Sequence, residues 1–188
     1  YRESEKYFGK VSTHTTDPIL DIYARLSALR VNRDGGEQTI EKNVAKLIRM
    51  AKQDKYEDYR DIIYYMAAQM QLQGNNIDEA IALLLKSTKY SNNGEEQRNK
   101  AFLQLADLSL AKKNYRQAYN FYDSLKLDDP SLKNVDEIKA KKTSLGLIAG
   151  NLEIIERQDS LQRIAAMPED NRKDFVKKLV KQLRKQQG

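Results

Sequence analysis

RNKAFLQLADLSLAKKNYRQAYNFYDSLKLDDP, residues 98–130, is the stretch whose reading decides the fold. Phe102, Leu105, Ala106 and Ser109 stand at i, i+3, i+4 and i+7, which is one face of a helix. Lys112-Lys113-Asn114 interrupts that pattern, and Tyr115, Ala118, Tyr122 and Leu125 then start a second stripe of the same period. Pro130 ends the unit, because proline has no N–H to donate and cannot continue a helix. Two helices joined by a tight turn are therefore expected here.

The order aromatic, Leu-Ala, small residue, Tyr, Ala, aromatic, Pro resembles a tetratricopeptide repeat, a helix hairpin of about 34 residues. On that resemblance Ala67, Ala80, Phe102, Leu105, Ala106, Tyr115, Ala118, Tyr122 and Pro130 are repeat-packing residues. Small side chains at a helix crossing let two axes approach while large neighbours fill the adjacent groove.

Two weaker hairpins precede this one. Asp17-Pro18 reads as an N-cap with proline at the first helical position. Ile19, Ile22, Tyr23, Leu26 and Leu29 would share one face, Gly35-Gly36 would end that helix, and Ile40, Val44, Leu47, Ile48 and Ala51 would follow in the next. In the second hairpin Ile63, Met66, Ala67 and Met70 form a stripe and Gly74-Asn75 breaks it. Asn76 with Glu79, and Asn114 with Gln117, have the spacing of capping boxes that satisfy free N–H groups at a helix start. Asn76 to Ala80 and Asn114 to Ala118 repeat at an offset of 38.

The expected organisation is all-α: residues 1–16 an extended segment or the remainder of an element that continues upstream, 17–130 a TPR-like α-solenoid of about three helix hairpins, and 131–188 long C-terminal helices capping or extending the array. Gly150-Asn151 is a candidate kink in the first of these, and Pro168 a restart. From Glu169 to Gly188 there are seven basic and three acidic residues, which supplies +4 of the net charge of +6. The basic character therefore belongs to a tail, and the rest of the chain is nearly balanced.

Three segments carry a closer resemblance, to the tetratricopeptide proteins of the Bacteroidetes type IX secretion and gliding-motility machinery of the SprE/PorW type. They are Asp21-Ile22-Tyr23-Ala24-Arg25-Leu26, Tyr59-Arg60-Asp61 with Ile63-Tyr64-Tyr65, and Gln158-Asp159-Ser160-Leu161-Gln162 with Ala165-Ala166-Met167. The resemblance implies a periplasmic, outer-membrane lipoprotein, with membrane contact only through a lipid anchor outside this segment. A first residue of Tyr in place of Met fits a processed or partial chain. A cytoplasmic TPR adaptor is the alternative.

The residues point to no catalytic chemistry. The chain has no Cys and one histidine, His14, set in a polar run. It has no phosphate-binding glycine loop and no metal-ligand spacing, so no cofactor, metal or small-molecule substrate is expected. Glu95-Glu96 and Asp128-Asp129 suit a helix start and a turn. Lys177, Lys178, Lys181, Arg184 and Lys185 could meet nucleic-acid phosphates, but a solvated helix face accounts for them better. A non-catalytic protein–protein interaction scaffold is the leading expectation, with another protein or peptide of the envelope as partner.

With Ile63 and Phe102 taken as core, the groove side would carry Asp61, Tyr64, Ala68 and Gln71 in the second hairpin, and Lys100, Leu103, Asp107 and Leu110 in the third. Tyr64 and Tyr65 are the expected anchors, because aromatic side chains give large contact area at low entropy cost. Gln104 and Asp107 occupy positions where chaperone-binding repeats hold a carboxylate clamp, so capture of a peptide C-terminus is not expected.

Overall fold

The computed structural model describes residues 7, 10, 11, 14–31, 36–90 and 94–187. Among them there are eight α-helices, one 3-10 helix and no strand. The helices are α1 (Pro18–Val31), α2 (Gly36–Ala51), α3 (Arg60–Gln73), α4 (Ile77–Lys89), α5 (Gly94–Ala111), α6 (Tyr115–Asp123), α7 (Val135–Ala165) and α8 (Glu169–Gln187). The 3-10 helix, Asp54–Tyr59, joins α2 to α3. From α2 onward each helix packs on the next as far as α7, and α3 also meets α5.

The offset of 38 extends from the sequence to the backbone hydrogen bonds. Asn75 (φ 60°) and Lys113 (φ 58°) both take the left-handed conformation that closes a helix. The Asn75 N–H donates to Leu72 O (3.1 Å) and the Asn76 N–H to Gln71 O (2.9 Å). Lys113 and Asn114 repeat this to Leu110 O (2.9 Å) and Ser109 O (2.8 Å). Both turns are Schellman motifs, which satisfy carbonyls left free at a helix end. Lys113 pays for its Cβ in this conformation, where glycine would not. Lys113→Gly should therefore stabilise the chain by about 0.5–1 kcal/mol, measured as a higher urea midpoint with an unchanged m-value.

The same offset relates Asp61 and Asn99, the first-helix residues that are tied to the end of each hairpin's second helix. Ser87 Oγ donates to Asp61 O at 2.8 Å. Asn99, 38 residues after Asp61, accepts from the Lys126 N–H at 2.9 Å and donates back to Lys126 O at 3.1 Å. Its amide also reaches Asp129 Oδ2 at 2.9 Å. The Ser131 N–H, with help from Asn99, holds Asp129 below the usual carboxylate range.

Among the described residues two apolar clusters form the core. The first joins Ile22 and Leu26 of α1 to Val44 and Leu47 of α2, and continues through Ile63, Ala67 and Leu84 to Leu105. The second gathers Ala106, Ala118, Tyr122 and Leu125 with Ile138 and Leu145 of α7. The N-terminal part of α7 thus packs on α6, and Gly146 passes close to Tyr119, where an added Cβ would lie 3.1 Å from the ring.

Several local expectations are corrected. Of residues 1–16, the described Tyr7, Lys10, Val11 and His14 are helical in place of an extended segment, which favours the remainder of a helix, and Thr15 and Thr16 are not helical. On α1 Ile19 and Tyr23 are exposed and Asp21 is buried, so its inner face is turned from the expected one. Leu29's side chain and Gly35 lie outside what is described, while Gly36 opens α2. Asn76 makes no capping bond to its helix and instead donates to Gln71 Oε1 at 2.9 Å. Asn114 does cap its helix: its Oδ1 accepts from the Gln117 N–H (3.3 Å), while Gln117 Oε1 accepts from the Asn114 side-chain amide (2.9 Å) in place of the backbone N–H of a full capping box. α7 runs unbroken through Gly150-Asn151. Pro130 is exposed and serves the turn after Asp129, not the packing.

Candidate functional site

The offset of 38 also sets the roles of the candidate binding residues. It pairs Asp61 with Asn99, Tyr64 with Phe102, Ala68 with Ala106 and Gln71 with Ser109, and these are inward positions. Asp61, Tyr64 and Gln71 are accordingly buried, so they cannot form the partner face expected of them. The cause is a slip of one residue: Ile63 is equivalent to Ala101 and not to Phe102.

Tyr64 belongs to the hairpin's own packing. Its ring stacks on Tyr90 with centroids 5.6 Å apart, and the Lys86 ammonium lies 5.6 Å from its centroid. Arg60 covers Tyr90 at 5.6 Å and donates from Nε to Ala51 O at 2.8 Å. In the third hairpin Phe102 meets Phe121 at 6.3 Å under Arg98.

The face that remains partly open on α3 and α5 carries Tyr65 and its equivalent Leu103, with Ile62 and its equivalent Lys100 one turn earlier. Gln69 Nε2 donates to Gln104 Oε1 and ties the two helices together on this side. Lys100 Nζ donates to Glu96 Oε1 at 2.6 Å, which holds the ammonium above its usual range, and Tyr65 and Tyr23 add to that effect. Tyr23 of α1, half exposed, thus shares the neighbourhood of Tyr65 and Lys100. Asp107 is exposed but occupied, since it accepts from the Tyr122 hydroxyl at 2.6 Å.

A buried charged centre was missed in the sequence. Asp21 is fully buried and accepts from Arg25 Nε (2.7 Å), Lys55 Nζ (2.8 Å) and the Tyr56 hydroxyl. It fastens α1 to the corner between α2 and α3. Its readable sign was the Asp–Arg pair at i, i+4, a spacing that brings two side chains together on a helix.

Among the described residues four tyrosine hydroxyls are shifted upward. Burial is the main cause at Tyr56, Tyr64, Tyr65 and Tyr122, and hydrogen bonds to Asp21 and Asp107 add to it at Tyr56 and Tyr122. A folded value above the unfolded one means stability is complete below the unfolded pKa, about 10, and is lost as pH rises through the folded value. Stability should therefore fall steeply above about pH 10. In an absorbance titration at alkaline pH, a subset of tyrosines should ionise only together with unfolding.

Among the described residues no group of His, Asp and Glu side chains is placed to hold a metal ion. No described helix is long and apolar enough to cross a membrane. The chain matches no protein-family model and no curated protein.

Proposed function

We propose that this chain is a non-catalytic protein-interaction scaffold. In this reading α1–α6 form a TPR-like solenoid, and α1, α3 and α5 line its concave side. The observation that carries the reading is the partly open face of Tyr65, Lys100 and Leu103 on α3 and α5, with the half-exposed Tyr23 of α1 near enough to act on the Lys100 charge. Stacked hairpins bury their second helices against neighbours and leave such a surface for a partner. Aromatic and aliphatic side chains beside one charge suit an extended or helical peptide.

The resemblance of Asp21–Leu26, Tyr59–Tyr65 and Gln158–Met167 to type IX secretion and gliding-motility proteins supports an envelope partner and a periplasmic site at the outer membrane. Affinity recovery from envelope extract tests the proposal. Tyr65→Ala with Leu103→Ala should reduce retention of the specific partner about 30-fold, as loss of one strong hot spot would. Lys100→Glu should weaken it with only a small fall in melting temperature, since the pair it breaks with Glu96 is exposed. Equal recovery by wild type and all variants would remove this face from the proposal.

A further inference from the structure

Helix α8 presents an apolar stripe that no other described element covers. Phe175, Val176, Leu179, Val180 and Leu183 are each between 39% and 49% exposed. At 100° per residue they fall within about 140° of the helix circumference. Lys177, Lys178, Lys181, Arg184 and Lys185 occupy the opposite arc and all are exposed. Asp174 is the last acidic residue of the chain, so every charge on the helix from Phe175 onward is positive, and its other polar side chains are Gln182, which borders the stripe beside Phe175, Gln186 and Gln187. Glu169 and Asp174 already face Lys173 and Lys177 at 2.7 Å and 4.0 Å.

We propose that α8 is a peripheral membrane contact that lies on an anionic lipid bilayer. The stripe enters the boundary between headgroups and acyl chains, and the ammonium and guanidinium groups meet lipid phosphates. Arg184 on one edge of the stripe and Lys178 and Lys185 on the other have stems long enough to let it sink while their charges stay at the phosphates. Each such cation adds to attraction toward an anionic leaflet.

The charge pattern selects this occupant over others. A second copy of α8 would offer the cations that flank the stripe no acidic partner, since every charge on it from Phe175 onward is positive. Nucleic acid would engage the lysines and leave five half-exposed apolar side chains in water. A protein groove fixes a helix by polar contacts as well as apolar anchors, and between Phe175 and Leu183 the stripe contains no polar side chain. A bilayer needs none. The contact would lie within the chain itself, in addition to any lipid anchor elsewhere.

The test is sedimentation of the full chain with vesicles of pure phosphatidylcholine, or of equal parts phosphatidylcholine and phosphatidylglycerol. Binding should be at least about tenfold stronger to the anionic vesicles and weaken by a similar factor between about 50 and 500 mM salt. Phe175→Ser with Leu179→Ser should abolish sedimentation with the melting temperature unchanged, because both side chains lie outside the packed array. Lys178→Gln, Lys181→Gln, Arg184→Gln and Lys185→Gln together should erase the preference for anionic lipid. The chain has no tryptophan, so Phe175→Trp gives a single reporter whose emission should shift to the blue on anionic vesicles. No sedimentation would overturn the proposal. So would binding that survives the serine substitutions without a blue shift, since that is adsorption by charge alone, and heparin or an oligonucleotide would reproduce it.

Discussion

Tyr122→Ala should destabilise the chain by about 3–5 kcal/mol, the cost of deleting a fully buried aromatic side chain in a site that cannot collapse. Tyr122 is buried where α5, α6 and α7 meet, among Ala106, Ala118, Leu125, Ile138 and Leu145. Its hydroxyl donates to Asp107 at 2.6 Å on the edge of that cluster. Two effects are therefore separable. Tyr122→Phe keeps the ring and should cost about 1 kcal/mol, the net value of an ordinary hydrogen bond. Urea denaturation of both variants checks this, and a cost for the alanine variant no greater than that for phenylalanine would mean the ring is not enclosed.

Asp21→Ala should cost about 3 kcal/mol, most of it from groups left without a partner. The carboxylate is fully buried, while the Arg25 and Lys55 side chains that approach it are about half exposed (48% each). Those cations can return to water when the carboxylate is gone, so their part of the loss is screened. The Tyr56 hydroxyl cannot, because Tyr56 is buried. The asymmetry gives the experiment its sign. Arg25→Ala and Lys55→Ala should each cost less than about 1 kcal/mol, well below Asp21→Ala. Equal losses at all three would show the centre to be an exposed ion pair.

The helices were readable from the sequence because period, caps and breakers agreed. Asp17-Pro18 opens α1, with the Ile19 N–H donating to Asp17 Oδ1 at 2.8 Å, and Asn114 caps α6. Asn76 to Ala80 and Asn114 to Ala118 show the offset of 38 in the sequence itself, and the left-handed turns at Asn75 and Lys113 follow it. The inward face of α3 was harder. Ile62, Ile63, Tyr64, Tyr65 and Met66 are apolar or aromatic at five successive positions, so hydrophobicity alone favours no side.

Only the equivalence with α5 selects Tyr64 as the inward aromatic and Tyr65 as the open one, and a one-residue slip exchanged them. On α1 the same ambiguity arose from Ile19, Leu20, Ile22 and Tyr23. Burial of Asp21 there is decided by Tyr56 and Lys55, 35 and 34 residues away, which no local pattern can reveal. The exposed stripe of α8 has the periodicity of a core helix, and its exposure becomes visible only once the helices before it have found their partners without it.

The central functional claim is that partners bind the side shared by the first helices. Site-specific photo-crosslinking tests it most directly, with the reactive residue placed at 65 or 103 on that side, or at the exposed Ala82 and Asn120 of the second helices. Each pair is 38 residues apart, so both members occupy equivalent places in the two hairpins. A common partner crosslinked from 65 and 103 and absent from 82 and 120 is the predicted result. Adducts from 82 and 120 with none from 65 and 103 would contradict it.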